Sequence, residues 1–224
     1  MELTPMGIFT AWLGAFSISF TLMPLMMVLD WRRRGTADGF SSVNFVLPML
    51  MTSCWLRHGY MTNDSTNITI NTINIAFFIF YILCFAYYQP KRKYLYLQLL
   101  ACGLAVKLLF MYVDMQNKDI APDVMGSIAA ATQIASLAGG CYEIKRAITF
   151  GHTEYLPATF QFAMFALIVQ WLAFGILTGN QYIAIANAAA LCVNLATIAL
   201  YFIYPPLTWR VPIIGTGPQQ KKEL

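Results

Sequence analysis

The segment 55–71 reads WLRHGYMTNDSTNITIN, and it has a counterpart 116 residues later in the segment 171–187, which reads WLAFGILTGNQYIAIAN. In each segment a glycine follows the tryptophan by four residues, an Asp or Asn by nine and the final asparagine by sixteen. Both lead into an aromatic–proline ending at the same offset, Tyr88-Gln89-Pro90 and Tyr204-Pro205-Pro206. Several coincidences in one register predict the duplication of a unit of three helices.

Composition places these helices in lipid. Of the 224 residues, 58% are hydrophobic and 11% are charged, whereas a soluble domain carries about 25% charged residues. A chain of this length cannot bury so much apolar surface, which excludes an ordinary soluble enzyme, a disordered chain and a basic nucleic-acid-binding domain. Stretches of about 20 apolar residues predict seven spans, at 7–29, 43–62, 67–88, 94–113, 124–143, 157–177 and 181–204.

The predicted fold is an all-α integral membrane protein with seven transmembrane helices in a 3+1+3 order. Two parallel three-helix repeats, 7–93 and 124–206, are joined by a linker helix and lumenal loop over 94–123 and followed by a cytosolic tail, 207–224, which we expect to be irregular. One linking span lets both repeats point the same way. Parallel repeats are a transporter device whose substrate site lies at the repeat interface.

Charge predicts the orientation. Eleven of the fourteen Lys and Arg residues fall on one side of the predicted spans and two on the other, so the positive-inside rule places the C-terminus in the cytosol and the N-terminus outside or in a lumen. Asn63 and Asn67 begin glycosylation triplets in a lumenal loop. Lys107 lies within the fourth span, where we expect it to snorkel or to pair with Asp114.

The repeated residues suggest a pocket. Asn71 and Asn187 lie one to two turns into their spans, and amides both donate and accept hydrogen bonds, as sugar hydroxyls do. Trp55 and Trp171 supply flat faces for a pyranose ring. The alternatives are asparagines that bridge helices and tryptophans in the interfacial belt.

The third, sixth and seventh spans carry no charged residue in their interiors, which favours uncoupled transport because coupled carriers usually need an intramembrane carboxylate. Pro24, Pro48 and Pro157 are candidate hinges, although Pro157 could equally begin a helix. Gly139-Gly140, with Gly140 at the position where a proline might be expected in the fifth span, could allow close helix packing or flexibility. No cofactor, metal or redox role follows from the five cysteines, and no catalytic group is recognisable. The alternatives to a carrier are a seven-helix receptor for signalling or cargo retrieval, or a non-transporting scaffold.

The chain resembles the SWEET sugar transporters of the MtN3/saliva family, in the animal type, over about residues 7–206. The motifs that carry the resemblance are Gly39-Phe40-Ser41-Ser42-Val43, Trp55 to Gly59, Asn71-Thr72, Tyr81, Tyr88-Gln89-Pro90-Lys91-Arg92-Lys93, Glu154-Tyr155-Leu156-Pro157, Trp171 to Gly175, Asn187 and Leu200-Tyr201-Phe202-Ile203-Tyr204-Pro205. The resemblance implies the 3+1+3 fold, facilitative transport of mono- or disaccharides such as glucose, and homo-oligomers.

By position, the resemblance places the family's pocket asparagines on Asn71 and Asn187, its second-half tryptophan on Trp171 and the repeat-related position on Trp55. Its proline tetrad is only partly kept. Pro157 matches the family's sixth-span proline, and Pro24 matches the first-span proline within about one residue. The second-span position reads Asn44, with Pro48 one turn on, and the fifth-span position reads Gly140. Asn180 stands where the family has a lumenal aspartate in the second half, the counterpart of Asp64 in the first.

The C-terminal residues Lys221 and Lys222 resemble a cytosolic dilysine retrieval signal. Such a signal would retain the protein in the early secretory pathway, so the expected location is the plasma membrane and/or the Golgi and early secretory membranes.

Overall fold

The computed structural model describes residues 4–218, which form helices and connecting segments and no strand. The helices are α1 (Pro5–Leu22), α2 (Leu25–Arg34), α3 (Val43–Thr62), α4 (Ser65–Tyr88), α5 (Lys93–Asp114), α6 (Ala121–Ser136), α7 (Ala138–Phe150), α8 (Ala158–Leu177) and α9 (Gln181–Ile203). The candidate retrieval residues Lys221 and Lys222 lie outside the described residues.

Six segments are long and apolar enough to cross a membrane, and α1 with α2 and α6 with α7 each make one of them. The remaining predicted span is α3, which has 20 residues and is less apolar because Arg57 and His58 lie within it. The all-α, seven-span prediction is confirmed, and the protein is a multi-pass membrane protein.

The chain divides into two compact units, the first ending at Gln133 and the second beginning at Ile134. In the first unit α4 packs against α1, α2 and α3, while α5 packs against α3. In the second unit α9 packs against α7 and α8. In both units, therefore, the third helix of the repeat is the one that contacts the other two.

A buried aromatic cluster closes the end of the first unit at which α2 meets α3. The Trp31 ring is fully buried and meets three other rings edge-on at centroid distances between 5.4 and 5.8 Å, those of Phe40, Phe45 and Phe85. The Ala37 N–H donates to the Tyr88 carbonyl at 3.0 Å. This bond holds the loop between α2 and α3 against the end of α4.

The first and fifth spans are both broken, where the sequence predicted continuous spans with possible hinges. Pro24 lies between α1 and α2 and has no N–H, so it cannot continue the hydrogen-bond ladder. The fifth span breaks at Leu137, between α6 and α7, three residues before Gly140. A Cβ at Gly140 would lie 2.9 Å from Val193 Cγ1, so the glycine permits close packing of α7 on α9.

Up to residue 218 the tail beyond α9 has no helix, as predicted, but it is packed against the second unit. The Glu154 carboxylate accepts hydrogen bonds from the Leu207 N–H at 2.6 Å, the Thr208 N–H at 3.0 Å and the Thr208 hydroxyl. The Trp209 indole donates to the Glu154 carbonyl at 3.1 Å, and Val211 is 1% exposed. The bonds from Thr208 lower the pKa of Glu154 below the ordinary range for a glutamate.

The expected pair of Lys107 with Asp114 is replaced by another one. Asp114 forms an ion pair with Arg57 of α3, and the Arg57 guanidinium lies 4.4 Å from the centroid of the Phe110 ring. Seven residues separate Lys107 from Asp114, almost two helical turns, whereas Arg57 reaches the carboxylate directly from the neighbouring helix.

Candidate functional site

The two repeated segments fold into the same helical hairpin. The turn between α3 and α4 consists of Asn63 in the left-handed conformation (φ 54°) and Asp64, whose side chain caps α4 by accepting from the Asn67 N–H. The turn between α8 and α9 places Gly179 (φ 68°) and Asn180 in the same roles, and Asn180 accepts from the Ile183 N–H. The candidate gate residues Asp64 and Asn180 are thus helix N-caps, for which Asp and Asn are equally suited.

A glycine sets the distance between the arms of each hairpin. A Cβ at Gly59 would lie 3.3 Å from the Ile68 backbone nitrogen, and a Cβ at Gly175 would lie 2.7 Å from the Ala184 backbone nitrogen. Both glycine carbonyls also accept from the last N–H of the turn, at 3.0 Å from Asp64 and 2.8 Å from Asn180. Residues larger than glycine would separate the arms.

The hairpins bring each tryptophan to the level of its asparagine. The arms run in opposite directions, and each glycine lies beside a residue of the second arm. A step of four residues back from the glycine on the first arm and four residues on from its neighbour on the second arm therefore reaches one common depth, about 6 Å beyond the glycine. In the first hairpin that step leads from Gly59 to Trp55 and from Asn67 to Asn71. In the second it leads from Gly175 to Trp171 and from Ile183 to Asn187.

The two asparagines make the same backbone contact. Asn71 Nδ2 donates to the Asn67 carbonyl at 2.9 Å, and Asn187 Nδ2 donates to the Ile183 carbonyl at 2.8 Å. The two side chains are buried, with 8% and 6% of their residues' surface exposed. Within residues 4–218 the bonds that these amides make to the protein are donated by their nitrogens, and no protein group is found that donates to either amide oxygen.

The two tryptophans differ in their surroundings. Trp55 is 6% exposed, and its indole N–H donates to Gln133 Oε1 of α6 at 2.8 Å. Trp171 is half-buried and packs edge-on against Phe174, with the ring centroids 5.5 Å apart. Trp55 meets His58 in the same way at 5.8 Å. The N–H of Trp55 is therefore engaged by the protein, and its ring packs against His58.

The proline positions lie at distinct places in the helices. Pro24 separates α1 from α2, Pro48 lies inside α3, which continues through it, and Pro157 is the residue immediately before α8. Pro157 therefore begins a helix, as the alternative interpretation allowed, and does not bend one. Gly140 lies in the first turn of α7.

Sequence reasoning missed two polar neighbours of Trp55. His58 is 2% exposed, and its Nδ1 lies 3.2 Å from the Pro122 carbonyl. Gln133 reaches Trp55 from α6. His58 could have been noticed as an imidazole within an apolar span, three residues after Trp55. Gln133 could not, because only the fold brings it to α3.

Asn67 is a third polar residue at this end of α4. Its side chain accepts from Asn71 Nδ2, and the residue is 2% exposed. Its own Nδ2 is buried and has no hydrogen-bond partner among the described residues. A glycan on this nitrogen would have no room in the folded chain, so we expect Asn67 to remain unmodified. Asn63 is exposed at the turn and remains the candidate.

Comparison with known proteins finds the same duplication in one family. A family model for sugar efflux transporters for intercellular exchange, the MtN3/saliva family, matches twice, at residues 8–93 and 123–208. The bidirectional sugar transporter SWEET13 of Oryza sativa subsp. japonica is 24% identical over 214 residues, which cover 92% of this chain and 71% of that protein. The sugar transporter SWEET1 of Drosophila pseudoobscura pseudoobscura is 24% identical over 181 residues, with 80% of each chain covered.

A eukaryotic SWEET transporter of known structure superposes with a TM-score of 0.79 at 18% sequence identity, covering 88% of this chain and 95% of that one. This similarity shows the fold. The double match of the family model covers most of the chain and carries the membership. The chain belongs to the SWEET, or MtN3/saliva, family of sugar transporters, and not to a family of enzymes.

Proposed function

We propose that this protein transports sugars such as glucose across a membrane by facilitated, uncoupled and bidirectional movement, with Asn71, Asn187, Trp55 and Trp171 in contact with the sugar. The observation that carries the proposal is the repeated hairpin, which holds a tryptophan and a buried asparagine at one level in each half of the chain. The names of the relatives as sugar transporters support it.

The two amides suit a neutral polyol. Each Asn Nδ2 donates one N–H to the backbone carbonyl four residues earlier in its helix. This bond fixes the orientation of the amide. The amide oxygen can then accept from a sugar hydroxyl. An indole face adjacent to it covers the C–H groups of the ring. A weak complex, with a Kd near the millimolar range, or about −4 kcal/mol, allows rapid release.

Uncoupled movement is supported by the position of the carboxylates. Within residues 4–218 they lie in loops, at helix ends or in ion pairs, and they are Asp30, Asp38, Asp64, Asp114, Asp119, Asp123, Glu143 and Glu154. None lies in the interior of α4, α8 or α9. A carrier driven by protons or sodium would need a carboxylate at membrane depth.

We further propose alternating access, in which the sugar is exposed first to one side of the membrane and then to the other. The breaks at Pro24 and next to Gly140 supply places where a span can bend, and Pro48 weakens the ladder within α3. Asp64 and Asn180 keep the tight turns capped while this occurs, and Pro157 fixes the start of α8.

The organisation that goes with this function is also a proposal. It comprises the repeats 7–93 and 124–206, the linker 94–123 and the tail 207–224, with the N-terminus outside or lumenal and the C-terminus cytosolic. Homo-oligomers and a location in the plasma membrane, Golgi or early secretory membranes complete it. Neither a cofactor nor a nucleic acid takes part.

Uptake of radiolabelled glucose into liposomes containing the purified protein tests the proposal. We expect glucose to equilibrate at the same initial rate with and without a proton or sodium gradient. Asn187→Ala should lower that rate at least tenfold, because it removes a ligand amide. Asn194→Ala is the matched control, since Asn194 is equally buried in the same helix and is already bonded to Gln161 at 3.0 Å.

Each contrary result removes a defined part of the proposal. Normal flux through a correctly folded Asn187→Ala protein would exclude Asn187 from the sugar site. Equal losses in Asn187→Ala and Asn194→Ala would indicate a packing defect. Flux that requires a gradient would contradict uncoupled transport. Absence of flux for a panel of mono- and disaccharides would contradict sugar transport.

A further inference from the structure

An apolar groove of about 310 Å³ runs between α3 and the linker helix α5 in the first unit. It is separate from the asparagine–tryptophan hairpin, because it lies along the first two turns of α3. The residues that line it are Val43, Val46, Leu47, Leu50, Gln98, Ala101, Cys102 and Ala105. The groove extends over eight residues of each helix, or roughly 10 Å.

The groove offers little to a polar ligand. Gln98 is its one amide, and Gln98 Oε1 already accepts from the Ser42 hydroxyl at 2.5 Å. The Cys102 thiol points to the Val46 carbonyl at 3.7 Å. Val43 and Leu47 are 43% and 42% exposed. The surface therefore fits a hydrocarbon chain and not a sugar.

A positive surface lies at the same end of the bundle. The residues Lys91, Arg92 and Lys93 are exposed at the start of α5, and Lys93 precedes Gln98 by five residues, about 8 Å along the helix. Arg92 Nε donates to the Gln89 carbonyl at 3.2 Å, whereas the structure gives neither lysine ammonium a protein acceptor among residues 4–218. Exposed tyrosine rings flank this cluster, as in membrane-interface belts, and they are Tyr87, Tyr94 and Tyr96.

We propose that this groove binds an anionic glycerophospholipid, with one acyl chain between α3 and α5 and the headgroup phosphate at Lys91 and Lys93. Charge complementarity selects the ligand, since a zwitterionic lipid would offer the same acyl chain and no net charge to the lysines. The separation of the lysines from the groove matches the separation of a phosphate from the start of its acyl chain. This inference does not depend on the sugar site.

Native mass spectrometry of the detergent-purified full chain tests the site. The protein is mixed with phosphatidylserine and phosphatidylcholine of identical acyl chains, and the retained lipids are counted. We expect one phosphatidylserine to be retained in preference to phosphatidylcholine. Each lysine near an anionic headgroup contributes about fivefold in affinity. Lys91→Gln with Lys93→Gln should therefore lower the preference on the order of tenfold or more.

Two matched controls separate charge from groove. Lys118→Gln with Lys145→Gln removes two exposed lysines elsewhere and should leave the preference unchanged. Ala105→Phe fills the groove and should reduce retention of both lipids, whereas Leu104→Phe, on an exposed neighbouring position, should not. The proposal is overturned if the two lipids are retained equally, or if a second copy of the chain displaces the lipid. It is also overturned if the two double lysine variants change the lipid preference equally, or if Ala105→Phe and Leu104→Phe change lipid retention equally.

Discussion

Gly175 is the residue at which the second hairpin leaves least room for a side chain. A Cβ there would lie 2.7 Å from the Ala184 nitrogen and 3.1 Å from its Cα. Backbone atoms cannot rotate out of the way, so the arms must separate. The same change at Gly59 would meet its nearest atoms at 3.2 and 3.3 Å, and the first hairpin should absorb it more easily.

We therefore predict that Gly175→Ala destabilises the protein by about 1–3 kcal/mol, the usual cost of overpacking. Gly103→Ala is the control, because nothing lies within 4 Å of its Cβ position and alanine favours the helix by up to about 1 kcal/mol. The measurement is the midpoint of thermal unfolding in detergent. Equal midpoints for the two variants would mean that the hairpin arms are not fixed by this contact.

At the scale of elements, the packed tail depends on one carboxylate. The Glu154 pKa is lowered because the Thr208 hydroxyl and the N–H groups of Thr208 and Leu207 bind the ionised form. A depressed pKa in the folded state stabilises the packed tail above the glutamate's ordinary pKa of 4.5. That stabilisation is lost as the pH falls through the lowered value.

Amide hydrogen exchange reports the loss of these bonds directly, because two of the three donors to the Glu154 carboxylate are backbone N–H groups. We predict that protection of the Leu207 and Thr208 amides, corrected for intrinsic rates, is pH-independent near neutrality and falls in acid below about pH 4.5. Glu154→Ala should abolish the protection at neutral pH, whereas Glu143→Ala should not. Undiminished protection in Glu154→Ala would show that Trp209 and Val211 hold the tail alone.

The elements differ in how far the sequence predicts them. The positions of the spans follow from apolar length, and the repeat follows from matched intervals between Trp, Gly and Asn. The break at Leu137 does not follow, since no proline marks it and the glycines that could allow close packing or flexibility lie two and three residues later. The packing of the tail cannot be predicted from its Pro- and Gly-rich sequence, because it depends on Glu154, more than 50 residues earlier.

At the scale of the whole molecule, the fold could be predicted because each repeat must bury the same pattern of residues in the same order. The candidate site could be predicted only in part. The register of the duplication selected Asn71 and Asn187, whose backbone contacts prove equivalent. The environment of Trp55 could not be predicted, since its partners His58 and Gln133 break the repeat: the residue equivalent to His58 is Phe174.

The orientation in the membrane can be tested with glycans, because glycosylation occurs on one side only. Asn63 is exposed in the turn after α3, whereas the Asn67 nitrogen is buried. If the N-terminus is lumenal, Asn63 is lumenal too and should carry a glycan. We predict that Asn63→Gln abolishes an endoglycosidase-sensitive mass shift in protein made with microsomes, and that Asn67→Gln preserves it.

Gly151→Asn provides the control on the opposite side of the predicted membrane. It creates the triplet Asn-His-Thr with His152 and Thr153, at a position whose φ of 69° resembles the 54° of Asn63. Asparagine tolerates this left-handed conformation, so the change should not disturb the fold. In a chain that also carries Asn63→Gln, the new site should remain unmodified if it faces the cytosol. A glycan on residue 151 would invert the orientation, and with it the assignment of Lys91 and Lys93 to the cytosolic surface.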